Sequence, residues 1–336
     1  MMKVAVLGSG SWGMTLAMLL ERNGFPVTVW FWDKVLHAQA VSERELPDFL
    51  PGIQIPESLD LTTDLKSAVK DAELIVIASP SHTVRMTMEA IGTAISPKAL
   101  IVNVAKGIEN DSLMTMSQVI VDATPNLSPD RVASLYGPTH AEEVSKGMAS
   151  AIVAGCANDE NGRKIQSYFM CDSLRVYTNT DILGVEYGGS LKNVIAIAAG
   201  ILAGMGSGDN TLAALITRGS FEITRLGVHL GAQEATFAGL SGIGDLIVTC
   251  LSQHSRNRHV GFELGRGRKL NDILGSMKMV AEGVKTAKSV HQLMTKTGVE
   301  MPISEQIYQV LFEDKDPQQS VSELMGRDPV KERHSI

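Results

Sequence analysis

"KVAVLGSGSWGMTLAMLLERNG", residues 3–24, decides the fold of the amino-terminal half. Residues 3–8 read as a short strand and 12–24 as a helix, with Gly8, Gly10 and Gly13 between and within them in a GxGxxG pattern. A glycine-rich turn that follows a strand and opens a helix is the setting in which this pattern holds a dinucleotide. Gly8 permits the tight turn, Gly10 leaves the backbone open to a pyrophosphate, and Gly13 lets the helix lie close to the sheet. Ser11 and Trp12 complete the turn, and the N–H groups of the helix start face the anion. The alternative is a strand–turn–helix with no ligand.

The surrounding sequence repeats this alternation. "PVTVW" (26–30) supplies a second strand, and "AELIVIASP" (72–80) and "ALIVNVAKG" (99–107) two more. The continuously apolar character of the last two fits a parallel sheet covered on both faces. "ELPDFLPGIQIP" (45–56), with three prolines, reads as a loop. Further strands are predicted at 132–137, 149–155 and 174–178. After Thr180 the pattern turns helical, as in 211–227 and 286–298. The fold class is therefore α/β: a Rossmann-like doubly wound sheet, then an all-helical C-terminal domain. The expected division is a dinucleotide-binding domain over 1–180 and a helical substrate-binding domain over 181–336. The charged tail "GRDPVKERHSI" (326–336) reads as frayed.

Composition narrows the class. A net charge of −7 with 44% hydrophobic and 20% charged residues describes a soluble globular chain. It lacks the basic surplus of a nucleic-acid binder. Cys156, Cys171 and Cys250 show no CxxC spacing and read as reduced, structural thiols in a cytoplasmic protein. The amino terminus runs straight into the first strand, so no signal peptide is expected. The apolar stretch after Lys192 contains several glycines and falls short of the roughly 20 residues a membrane span needs. It reads as a buried helix. No His, Cys and carboxylate cluster has metal-ligand spacing, so no metal is expected.

Cofactor preference depends on the end of the second strand, "VWFWDK". An acidic residue about 20 positions beyond the turn binds the adenosine ribose in NAD sites. Asp33 stands near that distance, with Lys34 beside it. Trp30, Phe31 and Trp32 either stack on adenine or pack the sheet edge. NAD and NADP both remain open.

Three segments carry candidate chemistry. Lys106 in "NVAKGIE" follows a predicted strand at its carboxyl end, the edge where open α/β sheets bind ligands; a solvated surface lysine is the alternative. In "YGPTHAEEV" (136–144), Gly137 and Thr139 are placed to hold a ligand near a helix start. His140 lacks an evident carboxylate partner and is not favoured as a base. In "GIGDLIVTCLSQHSRNRHVG" (242–261), Arg256 and Asn257 suit an anion, since guanidinium matches two oxygens at once. That cluster also fits an ordinary solvated helix end.

Lys192, in "GGSLKNVIAIAAGILAG" (188–204), is the most unusual residue. Burying an ammonium is costly unless something holds it. A snorkelling lysine at a helix end is the bland alternative.

In this order, "GSGSWG", "LPG", "AKGIE", "YGPTHAEEV", "LGVEYGGSLKNVIAIAAG", "TRG", "GIGDLIVTC", "SRNR", "AEG" and "EMPISEQIY" resemble the bacterial-type NAD(P)-dependent glycerol-3-phosphate dehydrogenases. The likeness runs from residue 3 to about 330. It implies interconversion of sn-glycerol 3-phosphate and dihydroxyacetone phosphate with NAD or NADP, supplying glycerol 3-phosphate for phospholipid synthesis. The partner it implies is a small phosphorylated substrate, with no nucleic acid and no membrane span, and a homodimer. By the same resemblance Lys192 transfers the proton, and Lys106 touches substrate and cofactor. Gly137, Thr139, Asp245, Ser255, Arg256 and Asn257 contact substrate. Gly8, Gly10, Ser11, Trp12, Gly13, Trp32, Ala141, Arg256, Val280 and Glu282 lie on the cofactor. Two positions depart from the family pattern: His140 stands where Phe is frequent, and Trp32 where a basic residue is frequent.

Reducing a ketone by hydride leaves an alkoxide that needs a proton, and a positioned lysine can supply it. The expected effects on Lys192 are opposed. Burial and a second ammonium such as Lys106 would lower its pKa, while an adjacent Asp245 would raise it and orient the amine. Gly188 and Gly189 are expected to let substrate and cofactor approach the backbone. Two rival functions are a related hydroxy-acid dehydrogenase and a non-catalytic dinucleotide-sensing protein.

Overall fold

The amino-terminal sequence forms its strand over Val4–Leu7 and its helix over Ser11–Arg22. The computed structural model describes residues 2–96, 98–277, 279–329 and 331–332. Two compact units emerge. The first comprises Met1–Lys106 and Met114–Glu186, the second Gly107–Leu113 and Tyr187–Ile336.

The first unit carries one eight-stranded sheet. Its strands are β1 (Val4–Leu7), β2 (Val27–Trp30), β3 (Asp60–Thr62), β4 (Leu74–Ile77), β5 (Leu100–Asn103), β6 (Val132–Tyr136), β7 (Ser150–Cys156) and β8 (Leu174–Asn179). The spatial order is β3-β2-β1-β4-β5-β6-β7-β8. β1 to β6 run parallel, in the order of a doubly wound dinucleotide-binding sheet. β7 then pairs antiparallel with β6, and β8 parallel with β7.

Side chains alternate between two cores, as the two-residue period of a strand requires. Val4, Val6, Val29, Val76 and Val102 enter one, with Leu16, Leu19 and Leu20 of the Ser11–Arg22 helix. Ala5, Leu7, Ile75, Ile77 and Ile101 enter the other, with Val84, Met88 and Ile120. Both faces being covered explains the unbroken apolar runs.

Two features differ from expectation. β3 is a three-residue edge strand with no apolar run to announce it. The reversal at β7 leaves no mark on hydrophobic pattern, which reports burial and not direction.

The second unit contains no strand among the described residues. Its central element is the Ile182–Gly204 helix, whose residues from Tyr187 onward belong to this unit. The stretch from Val194 to Leu202 is buried, as expected. A Cβ on Gly261 of the Arg256–Gly265 helix would lie 2.0 Å from the Ile197 carbonyl oxygen, so the two backbones meet directly. The helices predicted at 211–227 and 286–298 are Asp209–His229 and Glu282–Thr297.

One stretch, Glu234–Leu251, is long and apolar enough by composition to cross a membrane. It is interrupted after Phe237, and it carries Asp245, a buried charge. The last helix is Pro317–Met325. Of the tail read as frayed, Val330 and residues 333–336 lie outside the described residues.

Candidate active site

In the first unit the register sets Leu7 beside Trp30 and Ile77, so the glycine turn leaves the carboxyl edge of the sheet. Gly8 has φ +129°, and a Cβ there would lie 2.6 Å from the Ala78 carbonyl oxygen. A Cβ on Gly13 would lie 2.1 Å from the Gly8 carbonyl oxygen. Both glycines are demanded by the turn itself. Gly10 is different: a Cβ there would meet no protein atom within 4 Å. The fold does not need this glycine, and the bare surface beside the helix start suits a pyrophosphate.

The neighbours of the turn have structural ties. The Ser11 hydroxyl donates to the Phe49 carbonyl at 2.7 Å and pins the proline-rich loop. Trp12 packs against the valine-rich core. Ala141 opens the short Ala141–Val144 helix, and its carbonyl accepts from the Thr15 hydroxyl at 3.5 Å. His140 precedes that helix at its cap position.

At the end of β2 the aromatics divide. Trp30 and Phe31 are buried in the cores, whereas Trp32 is 73% exposed, edge-on to Trp30. Asp33 caps the Lys34–Glu43 helix, its carboxylate accepting from the N–H groups of Val35 and Leu36 at 2.7 and 3.2 Å. Capping alone accounts for this aspartate.

Lys106, Gly137 and Thr139 are brought together. The Gly137 carbonyl accepts from the Lys106 ammonium at 3.3 Å, the Thr139 N–H at 2.9 Å and the Thr139 hydroxyl at 3.3 Å. The Lys106 ammonium also lies 5.6 Å from the centre of the Tyr136 ring, a cation–π distance. Lys106 is half-buried, not a solvated surface side chain.

In the second unit Lys192 is no snorkelling residue. It sits in the interior of the Ile182–Gly204 helix and is 4% exposed. Its ammonium donates to the Asp245 carboxylate and to the Thr249 hydroxyl, each at 2.5 Å. Thr249 also donates to the Asp245 backbone carbonyl at 2.6 Å. Thr249 was not anticipated, although its place one turn beyond Asp245 in "GDLIVTC" puts both on one helix face. Cys250, adjacent, is buried, and burial pushes its thiol up to about 12. It therefore stays protonated. Cys156 is also buried and raised by burial, while Cys171 is half-buried.

The remaining residues hold the second unit's helices. Ser255 caps the Arg256–Gly265 helix, its hydroxyl accepting from the Arg258 N–H at 3.2 Å. Arg256, next to it, is exposed. Asn257 is buried; it donates to the Asn193 side chain at 3.0 Å and accepts from the Gly283 N–H at 2.9 Å. Asn257 thus ties the lysine-bearing helix to the "VAEG" turn, where Val280 and Glu282 are half-buried. Gly188 was expected to face ligand. A Cβ there would lie 2.7 Å from the Ser241 carbonyl oxygen, so close packing also requires this glycine. Among the described residues no group of three or more His, Cys, Asp and Glu could hold a metal ion.

A glycine turn on this strand order, with a buried lysine–aspartate pair in a helical unit, marks the class of two-part nicotinamide-dependent oxidoreductases. Comparison with known proteins narrows it. Residues 3–162 match the family model described as NAD-dependent glycerol-3-phosphate dehydrogenase N-terminus, and residues 181–322 match its C-terminus counterpart. The glycerol-3-phosphate dehydrogenase [NAD(P)+] of Chlorobium limicola is 50% identical over 98% of this chain and 99% of its own. That of Geobacter sulfurreducens is likewise 50% identical over 98% of this chain and 99% of its own. The crystal structure of glycerol-3-phosphate dehydrogenase from Coxiella burnetii superposes with a TM-score of 0.92 at 34% identity, covering 97% of this chain and 99% of that one. The chain belongs to the NAD(P)-dependent glycerol-3-phosphate dehydrogenase family.

Proposed function

We propose that the chain interconverts sn-glycerol 3-phosphate and dihydroxyacetone phosphate, with Lys192 as the proton-transfer residue. The observation that carries this reading is the buried Lys192–Asp245–Thr249 cluster. A carboxylate and a hydroxyl accepting from Nζ hold the lysine as an aimed ammonium, the form that donates a proton.

The nicotinamide cofactor, when bound, supplies or accepts the hydride. The chain's residues do the rest. Gly8, Gly10 and Gly13 shape the surface for the pyrophosphate. As a ketone oxygen gains negative charge, Lys192 donates a proton to it; in the reverse direction the neutral amine takes the hydroxyl proton. Asp245 and Thr249 orient the amine in both directions. Lys106, Gly137 and Thr139 form a second polar cluster at the edge of the first unit, proposed to contact substrate, with Arg256 and Asn257 proposed for the phosphate. Ala141, Trp32, Val280 and Glu282 are the further proposed cofactor contacts. A cytoplasmic homodimer supplying glycerol 3-phosphate for phospholipid synthesis completes the proposal.

The test follows loss of reduced nicotinamide absorbance with dihydroxyacetone phosphate, using NADH and NADPH side by side. Rapid oxidation is expected with at least one. Folded protein that binds dinucleotide yet oxidises neither would overturn the reading in favour of a hydroxy-acid substrate or a sensor.

A further inference from the structure

The residues behind Lys106 form a buried polar chain that contact with a pyrophosphate or a phosphate does not explain. Asn103, the last residue of β5, is fully buried. Its side-chain oxygen accepts from the Ala105 N–H at 3.0 Å. Its amide donates to the Ala105 carbonyl at 3.1 Å and to the Tyr136 hydroxyl at 2.8 Å. The Tyr136 hydroxyl donates to the same carbonyl. Both polar groups of Ala105, the residue preceding Lys106, are thus fixed from below.

Tyr136 acts on the other end of Lys106 as well. Its ring face supports the ammonium, and Gly137, next in the chain, supplies the ammonium's carbonyl partner. One tyrosine therefore constrains both the backbone leading into Lys106 and its charged tip.

The chain continues to Glu186. This carboxyl group is 1% exposed and accepts from the Ser117 N–H at 2.8 Å, the Ser117 hydroxyl at 2.6 Å and the Ser134 hydroxyl at 2.7 Å. The Ser134 hydroxyl in turn accepts from Asn103 at 3.3 Å. Buried polar groups are costly unless every partner is met, and a satisfied network of this kind fixes a unique geometry. Strands as apolar as "LIVN" and "VASLY" would be more cheaply filled by hydrocarbon.

We propose that Tyr136 is a positioning residue for Lys106, held in place by the buried Asn103–Ser134–Glu186 chain. This rests on the proposed function in one respect: Lys106 is taken to act on the substrate. The Tyr136 hydroxyl is buried and engaged by Asn103 and the Ala105 carbonyl. Tyr136 sets where the ammonium stands.

The test is a double-mutant cycle on the full chain. Wild-type turnover of dihydroxyacetone phosphate comes first, and its absence would count against the proposed function, not against this inference. Tyr136→Phe keeps the ring and removes the hydroxyl. It is expected to lower kcat/KM for the ketone about tenfold. In a Lys106→Met chain, the same substitution is expected to change kcat/KM less than twofold. An equal loss in both backgrounds would overturn the proposal, since a merely structural role does not depend on Lys106.

A second readout needs no turnover. Lysines reductively methylated with ¹³C-formaldehyde give one resonance each, and Lys106→Met assigns the relevant one. Its chemical shift at fixed pH is expected to differ between wild type and Tyr136→Phe, and an unmoved resonance would overturn the proposal. If Tyr136→Phe does not fold, Glu186→Gln replaces it in both experiments under the same criteria.

Discussion

The Lys192 ammonium and the Asp245 carboxylate, 53 residues apart in sequence, meet at 2.5 Å with almost no exposure to solvent. Neither charge would be tolerated there alone. The pair commits the second unit to holding an amine at one place, with the Thr249 hydroxyl as a further acceptor.

Lys192→Ala is therefore expected to lower kcat on the order of 10²-fold or more, the scale of general acid–base catalysis. Steady-state kinetics in the direction of ketone reduction measure it. This variant takes the ammonium away from the buried Asp245 carboxylate, so its thermal stability should be recorded alongside. Wild-type turnover would remove Lys192 from the chemistry. Thr249→Val keeps the shape and removes one acceptor, and a smaller loss is expected there.

The glycine turn makes a sharper prediction. Gly10→Ala places its methyl in open space, so unfolding free energy should stay within about 0.5 kcal/mol of wild type. Dinucleotide affinity should nevertheless fall at least tenfold, a loss of about 1.4 kcal/mol or more. Gly13→Ala forces a methyl against the Gly8 carbonyl and should destabilise the fold itself. Denaturant titration and nucleotide fluorescence separate the two effects. Unimpaired binding in Gly10→Ala would show that the pyrophosphate does not lie on this surface.

Glu222 provides a pH prediction unconnected with catalysis. It is buried, and its carboxyl accepts from the Ile303 N–H at 2.7 Å and from the N–H and hydroxyl of Ser304 at 3.2 and 3.1 Å. It thereby caps the Pro302–Phe312 helix from outside. Burial pushes its pKa up from 4.5 to about 7, against the opposing pull of those N–H groups. Because the folded value is the higher one, its stability contribution is complete below about pH 4.5 and is lost as pH rises through 7. A shift of that size corresponds to roughly 3 kcal/mol. The difference in unfolding free energy between wild type and Glu222→Gln should fall by that order between pH 5 and 8. A difference independent of pH would show that this carboxyl is ionised throughout.

Much of this architecture is legible in the sequence, for identifiable reasons. Strands buried on both faces are mostly apolar, so β1, β2, β4 and β5 announce themselves. β3 does not, because three edge residues, Asp60–Thr62, bury too little to leave a pattern. Gly8 and Gly13 are readable because sterics permit nothing else. The partners of Lys192 are another matter. Spacing along one helix relates Asp245 to Thr249, but no local rule connects either to a lysine on a different helix. The Asn103–Tyr136–Ser134–Glu186 chain had a visible trace, namely polar residues inside otherwise apolar strands. Their mutual hydrogen bonds depend on sheet register and on the first turns of the Ile182–Gly204 helix, which only the fold supplies.

Cofactor preference is expected to respond to the residue at position 32. Trp32 is exposed at the end of β2, immediately before the capping Asp33. Discrimination for NADPH needs a cation able to fork around the 2′-phosphate, and an indole supplies none. Asp33 commits one carboxylate oxygen, Oδ1, to two backbone N–H groups. Trp32→Arg is therefore expected to raise the kcat/KM ratio of NADPH over NADH about tenfold, the worth of one partly exposed charge-assisted contact. The gain should shrink as salt is raised, since screening weakens exposed pairs. A ratio unchanged at low salt would mean that position 32 does not face the adenosine end of the cofactor, and that selection lies elsewhere along the Lys34–Glu43 helix.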